Sequence, residues 1–119
     1  LTHDKGKLLL FHCCGDMYSL IDDYIDDVQI DAKHSFEDNV LPVTEAKRRY
    51  GDRLSLLGGM DVDLLARSDE ATIRSRTREI LEVCHPGGGY CFGSGNWVTE
   101  YIPLHSYVAM LDEAQRFLS

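Results

Sequence analysis

The chain alternates four times between a short apolar run and a stretch of helical periodicity, and that alternation limits the folds open to it. The runs are Lys7-Leu-Leu-Leu-Phe-His12, Ile30 to His34, Leu54-Ser-Leu-Leu57 and Tyr90-Cys-Phe92. Their length suits strands, and the first has the unbroken apolar character of a strand buried on both faces. Strands separated by helices cannot pair as hairpins, so each crosses over to lie parallel to its neighbour. The pattern predicts an α/β fold with a mainly parallel sheet. A complete (β/α)8 barrel takes about 250 residues. The 119 residues here have room for four β/α units, half of that number. A single domain over residues 1–119 is expected, because no linker divides the chain and no repeat beyond the β/α period is visible.

Each helical stretch carries its own punctuation. Met17, Leu20, Ile21, Tyr24, Ile25 and Val28 recur on one face of a first helix over Met17 to Asp27. Asp22, Asp23, Asp26 and Asp27 lie opposite, as a solvated acidic side. Pro42 stands near the start of a second helix, with Val43, Ala46 and Tyr50 facing inward and Gly51 as the C-cap. Ser68 is expected to cap a long third helix, with Asp69 and Glu70 complementing the dipole in its first turn. Ile73, Thr77, Ile80, Leu81 and Cys84 share its inner face, which makes Cys84 a core residue. His85-Pro-Gly-Gly-Gly89 stops that helix. The last one, from about Leu104 to Leu118 after Pro103, is expected to turn Val108, Leu111, Ala114 and Leu118 inward.

Charge and length exclude several functions. Twenty acidic residues against twelve basic ones give a formal charge of −8. A nucleic-acid binder needs a net basic surface to displace counterions from phosphates, so no nucleic acid is expected as partner. The short cluster Lys47-Arg48-Arg49 reads as a solvated helix face. The apolar run Leu8 to Phe11 is far short of the roughly 20 residues a membrane span needs. The chain begins at Leu1 with no signal-like segment, which suggests a cut inside a longer protein. Adjacent Cys13 and Cys14 do not have disulfide spacing, so free thiols in a reducing cytoplasm are expected.

In parallel α/β folds, functional groups gather where strands end and helices begin. Four such ends are His12-Cys-Cys-Gly-Asp16, His34-Ser-Phe-Glu37, Gly58-Gly-Met-Asp61 and Gly93-Ser-Gly-Asn96. His12 and Cys14 are two apart on a strand, so both side chains project to one side, while Cys13 points into the packing. An imidazole and a thiolate so placed are a zinc-binding pair. Asp61 reads either as the cap of a short helix running into Val62 and Leu65 or as an active-site carboxylate. His34 reads either as a buried, hydrogen-bonded histidine or as a catalyst. Gly87-Gly88-Gly89 is not a phosphate loop, because it precedes a strand instead of following one. His3 and His105 have no motif around them.

Taken together, these segments resemble the C-terminal half of the uroporphyrinogen decarboxylase superfamily. The matching pieces are Phe11-His-Cys-Cys-Gly-Asp16 with Leu20-Ile-Asp-Asp-Tyr24, and Lys47-Arg-Arg-Tyr-Gly-Asp-Arg53 leading to Leu56-Leu-Gly-Gly-Met-Asp61. Gly87-Gly-Gly-Tyr-Cys-Phe-Gly-Ser-Gly-Asn96 and Ile102-Pro103 complete them. The resemblance implies a (β/α)8 barrel of which this chain is the C-terminal half. It also implies one of two chemistries on a small-molecule substrate.

In the methyltransferase branch, zinc on His12 and Cys14 activates a thiol toward a methyl group carried by a corrinoid. The corrinoid is then a co-substrate and a corrinoid protein a partner. That branch has a cysteine as third ligand where this chain has Asn96, a poor zinc ligand. Cys91 lies five residues earlier, about 17 Å along an extended strand. In the decarboxylase branch neither metal nor cofactor is needed, and His12, Asp61 and Asn96 are polar wall residues. The expected roles are catalytic for Asp61 and His34, substrate-binding for Asn96, Ser94 and Asp16, and metal-binding for His12 and Cys14. A third reading is a non-catalytic assembly module. A half-barrel exposes two sheet edges, so a homo-oligomer is expected, with the isolated chain inactive.

Overall fold

The computed structural model describes residues 1–119. Its four strands form one sheet in the order β1 (Leu10–His12), β2 (Ala32–His34), β3 (Ser55–Leu57) and β4 (Tyr90–Cys91), every neighbouring pair parallel. Helices α1 (Ile21–Asp26), α2 (Val43–Tyr50), α3 (Val62–Arg67), α4 (Glu70–Cys84) and α5 (Leu104–Leu118) fill the connections. This is the expected α/β class with the sequential strand order of a half-barrel. No helix is long and apolar enough to cross a membrane.

Register and pleat sort the side chains. Leu10 stands beside Ala32 and His12 beside His34, so these four share one face of the sheet. Phe11, Lys33, Leu56 and Tyr90 share the other, which meets the helices. Leu56, Leu65, Ile73, Ile80 and Met110 are essentially inaccessible between sheet and helices. Each such side chain contributes roughly 1.5–3 kcal/mol by leaving water. Cys84 lies in the same core, as its place on α4 predicted. On the other face no residue of this chain covers Leu10, which is 61% exposed.

Several local expectations are corrected. The first helix is shorter than its periodicity, with a 3-10 turn at Tyr18–Leu20 before α1. The amides of Asp27 and Val28 both return to the Asp23 carbonyl, and Gln29 turns left-handed, which ends the helix. Leu20 and Val28 are therefore exposed. Gly51 does close α2, but with right-handed φ of −68°, and Arg53 and Leu54 both donate to the Tyr50 carbonyl as the chain winds on. Asp69, not Ser68, caps α4: its carboxylate accepts the Thr72 amide at 2.8 Å, while Ser68 ends α3.

The inner face of α5 differs most. Ala114 is buried as expected, but Val108, Leu111 and Leu118 are exposed. Ser106, Ala109, Met110 and Glu113 turn inward instead. The small residues let α5 approach α4 closely, and the Glu113 carboxylate is matched there by Arg74 at 3.1 Å and by Arg78. The displaced apolar stripe lines a depression of about 650 Å³ beside the free β4 edge, with Leu81, Tyr90 and Phe92 opposite Leu111 and Leu118.

Candidate functional site

The carboxyl ends of β1 and β2 carry the most concentrated chemistry. Because His12 and His34 are register partners, their rings lie side by side, with Nδ1 to Nδ1 at 2.8 Å. The turn after β1 brings Cys14 Sγ to 3.3 Å from His12 Nε2, as the two-residue spacing predicted. From the loop after β4, the Asn96 amide donates to Cys14 Sγ at 3.4 Å, and its Oδ1 accepts the Trp97 amide at 2.8 Å. The Ser94 carbonyl faces His34 Nε2 at 3.1 Å, and the Ser94 hydroxyl donates to the Asn96 carbonyl at 2.8 Å. His12, Cys14, His34, Ser94 and Asn96 thus meet, although they come from three separate segments. Cys13 turns away and packs against the core.

The other two residues stand apart. Asp61 caps α3, with Oδ1 accepting the amides of Asp63 and Leu64 and Oδ2 accepting that of Asp38 at 2.8 Å. It also walls an adjoining depression of about 650 Å³ together with Glu37, Asp38, Asp63 and Asn96. Burial raises the Asp38 carboxyl above the ordinary aspartate value in spite of the Arg76 guanidinium 3.0 Å away. Asp16 accepts the Tyr18 amide at 3.1 Å and is exposed, bonded to none of the clustered side chains.

Two neighbours are not among the site residues expected from the sequence. Ser35 places its hydroxyl 3.5 Å from Cys14 Sγ and 3.4 Å from the Cys13 carbonyl. Lys33 lies buried behind it, donating to the Ser35 carbonyl, with Nζ 4.4 Å from the Phe36 ring centre. Burial pulls that ammonium below the usual lysine value. A lysine inside a strand reads as solvent-facing until its register is known.

The pair His12 and Cys14 suits zinc at two positions. Ligands at about 2.3 Å for sulfur and 2.0–2.1 Å for nitrogen on one tetrahedral ion lie about 3.5 Å apart, close to the 3.3 Å observed. No group of three His, Cys, Asp or Glu side chains is disposed to hold a metal. Asn96 occupies the third side with its amide hydrogens toward the sulfur.

The family model described as uroporphyrinogen decarboxylase (URO-D) matches residues 2–117. Among curated relatives, the uroporphyrinogen decarboxylase of Thioalkalivibrio sulfidiphilus is 34% identical over 74 residues, covering 62% of this chain and 21% of that protein. That of Methylococcus capsulatus is 37% identical over 76 residues, covering 63% and 21%. A methyltransferase from Methanosarcina mazei shares the fold, with a TM-score of 0.76 at 19% identity over 95% of this chain and 32% of its own. The chain therefore spans a minor part of the proteins it matches. Its match to the family model over almost the entire length means that it belongs to the uroporphyrinogen decarboxylase (URO-D) family.

Proposed function

We propose that this chain is the C-terminal half of a barrel enzyme that transfers a methyl group between a corrinoid and a thiol, with His12 and Cys14 as zinc ligands. The observation that carries the reading is the 3.3 Å separation of His12 Nε2 and Cys14 Sγ, near the span of two ligands on one ion. Zinc bound there would act as a Lewis acid that lowers the pKa of the substrate thiol. The chain's own residues do the rest. Asn96 donates to the Cys14 sulfur and would spread the negative charge that sulfur carries as a zinc ligand. Asp61 holds the Asp38 amide and keeps the wall of the adjoining depression in place. Asn96 and Ser94, joined by a hydrogen bond in the loop after β4, would contact a small substrate at the pair, and exposed Asp16 would contact it from the β1 turn.

The test is methyl transfer from methylcobalamin to a small thiol by the whole enzyme, with His12→Ala and Cys14→Ala as controls. Transfer that is lost in both variants supports the reading. Transfer that survives either substitution contradicts it.

Decarboxylation of a porphyrinogen is the second reading, favoured by the names of the curated relatives. The first reading is preferred because His12 and Cys14 stand at the spacing of two ligands on one ion, whereas decarboxylation leaves them as polar wall residues. Release of carbon dioxide from a porphyrinogen by the same enzyme would reverse that preference.

The half-barrel assignment and an associated homo-oligomer rest on the open β4 edge and the exposed Leu111 and Leu118 beside it. They also make a purely structural assembly role the third reading. A monomer in sedimentation at micromolar concentration contradicts the oligomer. The four cysteines are all unpaired, which fits a reducing, cytoplasmic setting.

A further inference from the structure

We infer that His34 is a positioning residue that fixes the tautomer of His12, at the centre of a hydrogen-bond chain from the Ser94 carbonyl to the Cys14 sulfur. The Ser94 carbonyl oxygen can only accept, so His34 Nε2, 3.1 Å away, carries a hydrogen. A neutral imidazole has one N–H, which leaves His34 Nδ1 bare and accepting. Its partner at 2.8 Å, His12 Nδ1, is then the donor. His12 is thereby held with its hydrogen on Nδ1 and its lone pair on Nε2, the atom facing Cys14 Sγ. Free histidine side chains favour the opposite tautomer, so the arrangement has to be imposed by the surroundings.

The fold makes room for this chain at one glycine. A Cβ on Gly58 would stand 2.3 Å from the Ser94 carbonyl oxygen and 2.8 and 2.9 Å from His34 Cδ2 and Nε2. Only a residue without a side chain lets the carbonyl and the imidazole meet. The Asn96 amide is oriented independently, since its Oδ1 is taken by the Trp97 amide. His12 and Asn96 therefore arrive pre-set at the sulfur, where the Ser35 hydroxyl is a third neighbour at 3.5 Å. Histidines that bind metals nearly always donate their second nitrogen to an orienting partner. Here that partner is a second histidine, itself anchored to the loop after β4.

The consequence for metal binding rests on the zinc reading above; the tautomer does not. The experiment records two-bond proton–nitrogen correlations of the histidine rings in the metal-free, isotope-labelled whole protein. It is run at about pH 8.5, well above the ordinary histidine pKa of ~6.5. His12 is expected to show a protonated Nδ1 and a bare Nε2, and the reverse pattern overturns the inference. His34→Asn can still turn an acceptor to His12 and should keep the pattern, whereas His34→Leu should release His12 to the Nε2–H form. A His34→Leu spectrum that keeps the wild-type pattern also overturns it. If His34→Leu does not fold, the wild-type and His34→Asn spectra decide.

Cobalt(II) affinity, measured by chelator competition on the same samples, separates the two readings. His34→Leu should weaken it by roughly 10- to 100-fold and His34→Asn by less. A wild type that binds no cobalt removes the zinc reading, while the tautomer stands or falls on the spectra alone.

Discussion

Gly58 and Gly87 have nearly the same positive φ, +85° and +81°, but their surroundings are opposite. Around Gly87 nothing lies within 4 Å of the place a Cβ would take. At Gly58 the same atom would fall 2.3 Å from the Ser94 carbonyl oxygen and under 3 Å from the His34 ring. An alanine at either position suffers the left-handed penalty of about 1–2 kcal/mol. At Gly58 it must also push the Ser94 carbonyl outward by about 1 Å to reach an ordinary C···O contact of ~3.3 Å. Overpacking of that kind adds about 1–3 kcal/mol. The expected losses are therefore about 1–2 kcal/mol for Gly87→Ala and about 2–5 kcal/mol for Gly58→Ala. Urea unfolding followed by circular dichroism reads the difference directly. With a slope of about 1–3 kcal/mol per molar urea, the two midpoints should separate by roughly 1 M. Equal midpoints would mean that the Ser94–His34 contact is not held tightly, and the packing reasoning would fall with it.

Three further outcomes follow from the packing and the caps. Ile80→Ala should cost about 2–5 kcal/mol, because Ile80 is wholly buried. Val108→Ala on the outward face of α5 should stay within about 0.5 kcal/mol; comparable losses for both would restore Val108 to the core. Asp69→Ala should lower the melting temperature while Ser68→Ala leaves it nearly unchanged, and the opposite order would return the cap to Ser68. The Thr72 side chain and amide hold the Asp69 carboxyl below its ordinary value of 3.8. A carboxyl lowered on folding stabilises above that value, and the contribution is lost as pH falls through the folded value. The stability gap between wild type and Asp69→Ala should accordingly close on acidification, and a gap that widens would refute the cap bond.

The parts of the molecule legible in the sequence are those governed by local periodicity. The four apolar runs mark the strands, and the buried face of α4, from Ile73 to Cys84, follows from helical spacing alone. His12 and Cys14 are legible together from their two-residue spacing, although β1 ends at His12 and it is the turn that brings Cys14 alongside. What was not legible depends on partners distant in the chain. Glu113 faces the core because Arg74 and Arg78 meet it from another helix, which no pattern within α5 records. His34 could be read only as a buried or a catalytic histidine until the register with His12 was known. Lys33 and Ser35 entered the site for the same reason. Asp61 takes the first of the two roles open to it, as the cap of α3, and it also walls the depression beside Asn96.

The reading of His12 and Cys14 as a ligand pair is tested most directly by metal content. The whole enzyme, purified without chelators, is assayed for zinc by elemental analysis beside His12→Ala and Cys14→Ala. Stoichiometric zinc in the wild type, lost from both variants, is the expected result. A wild type that stays metal-free even after exposure to zinc would contradict the methyl-transfer account at its centre.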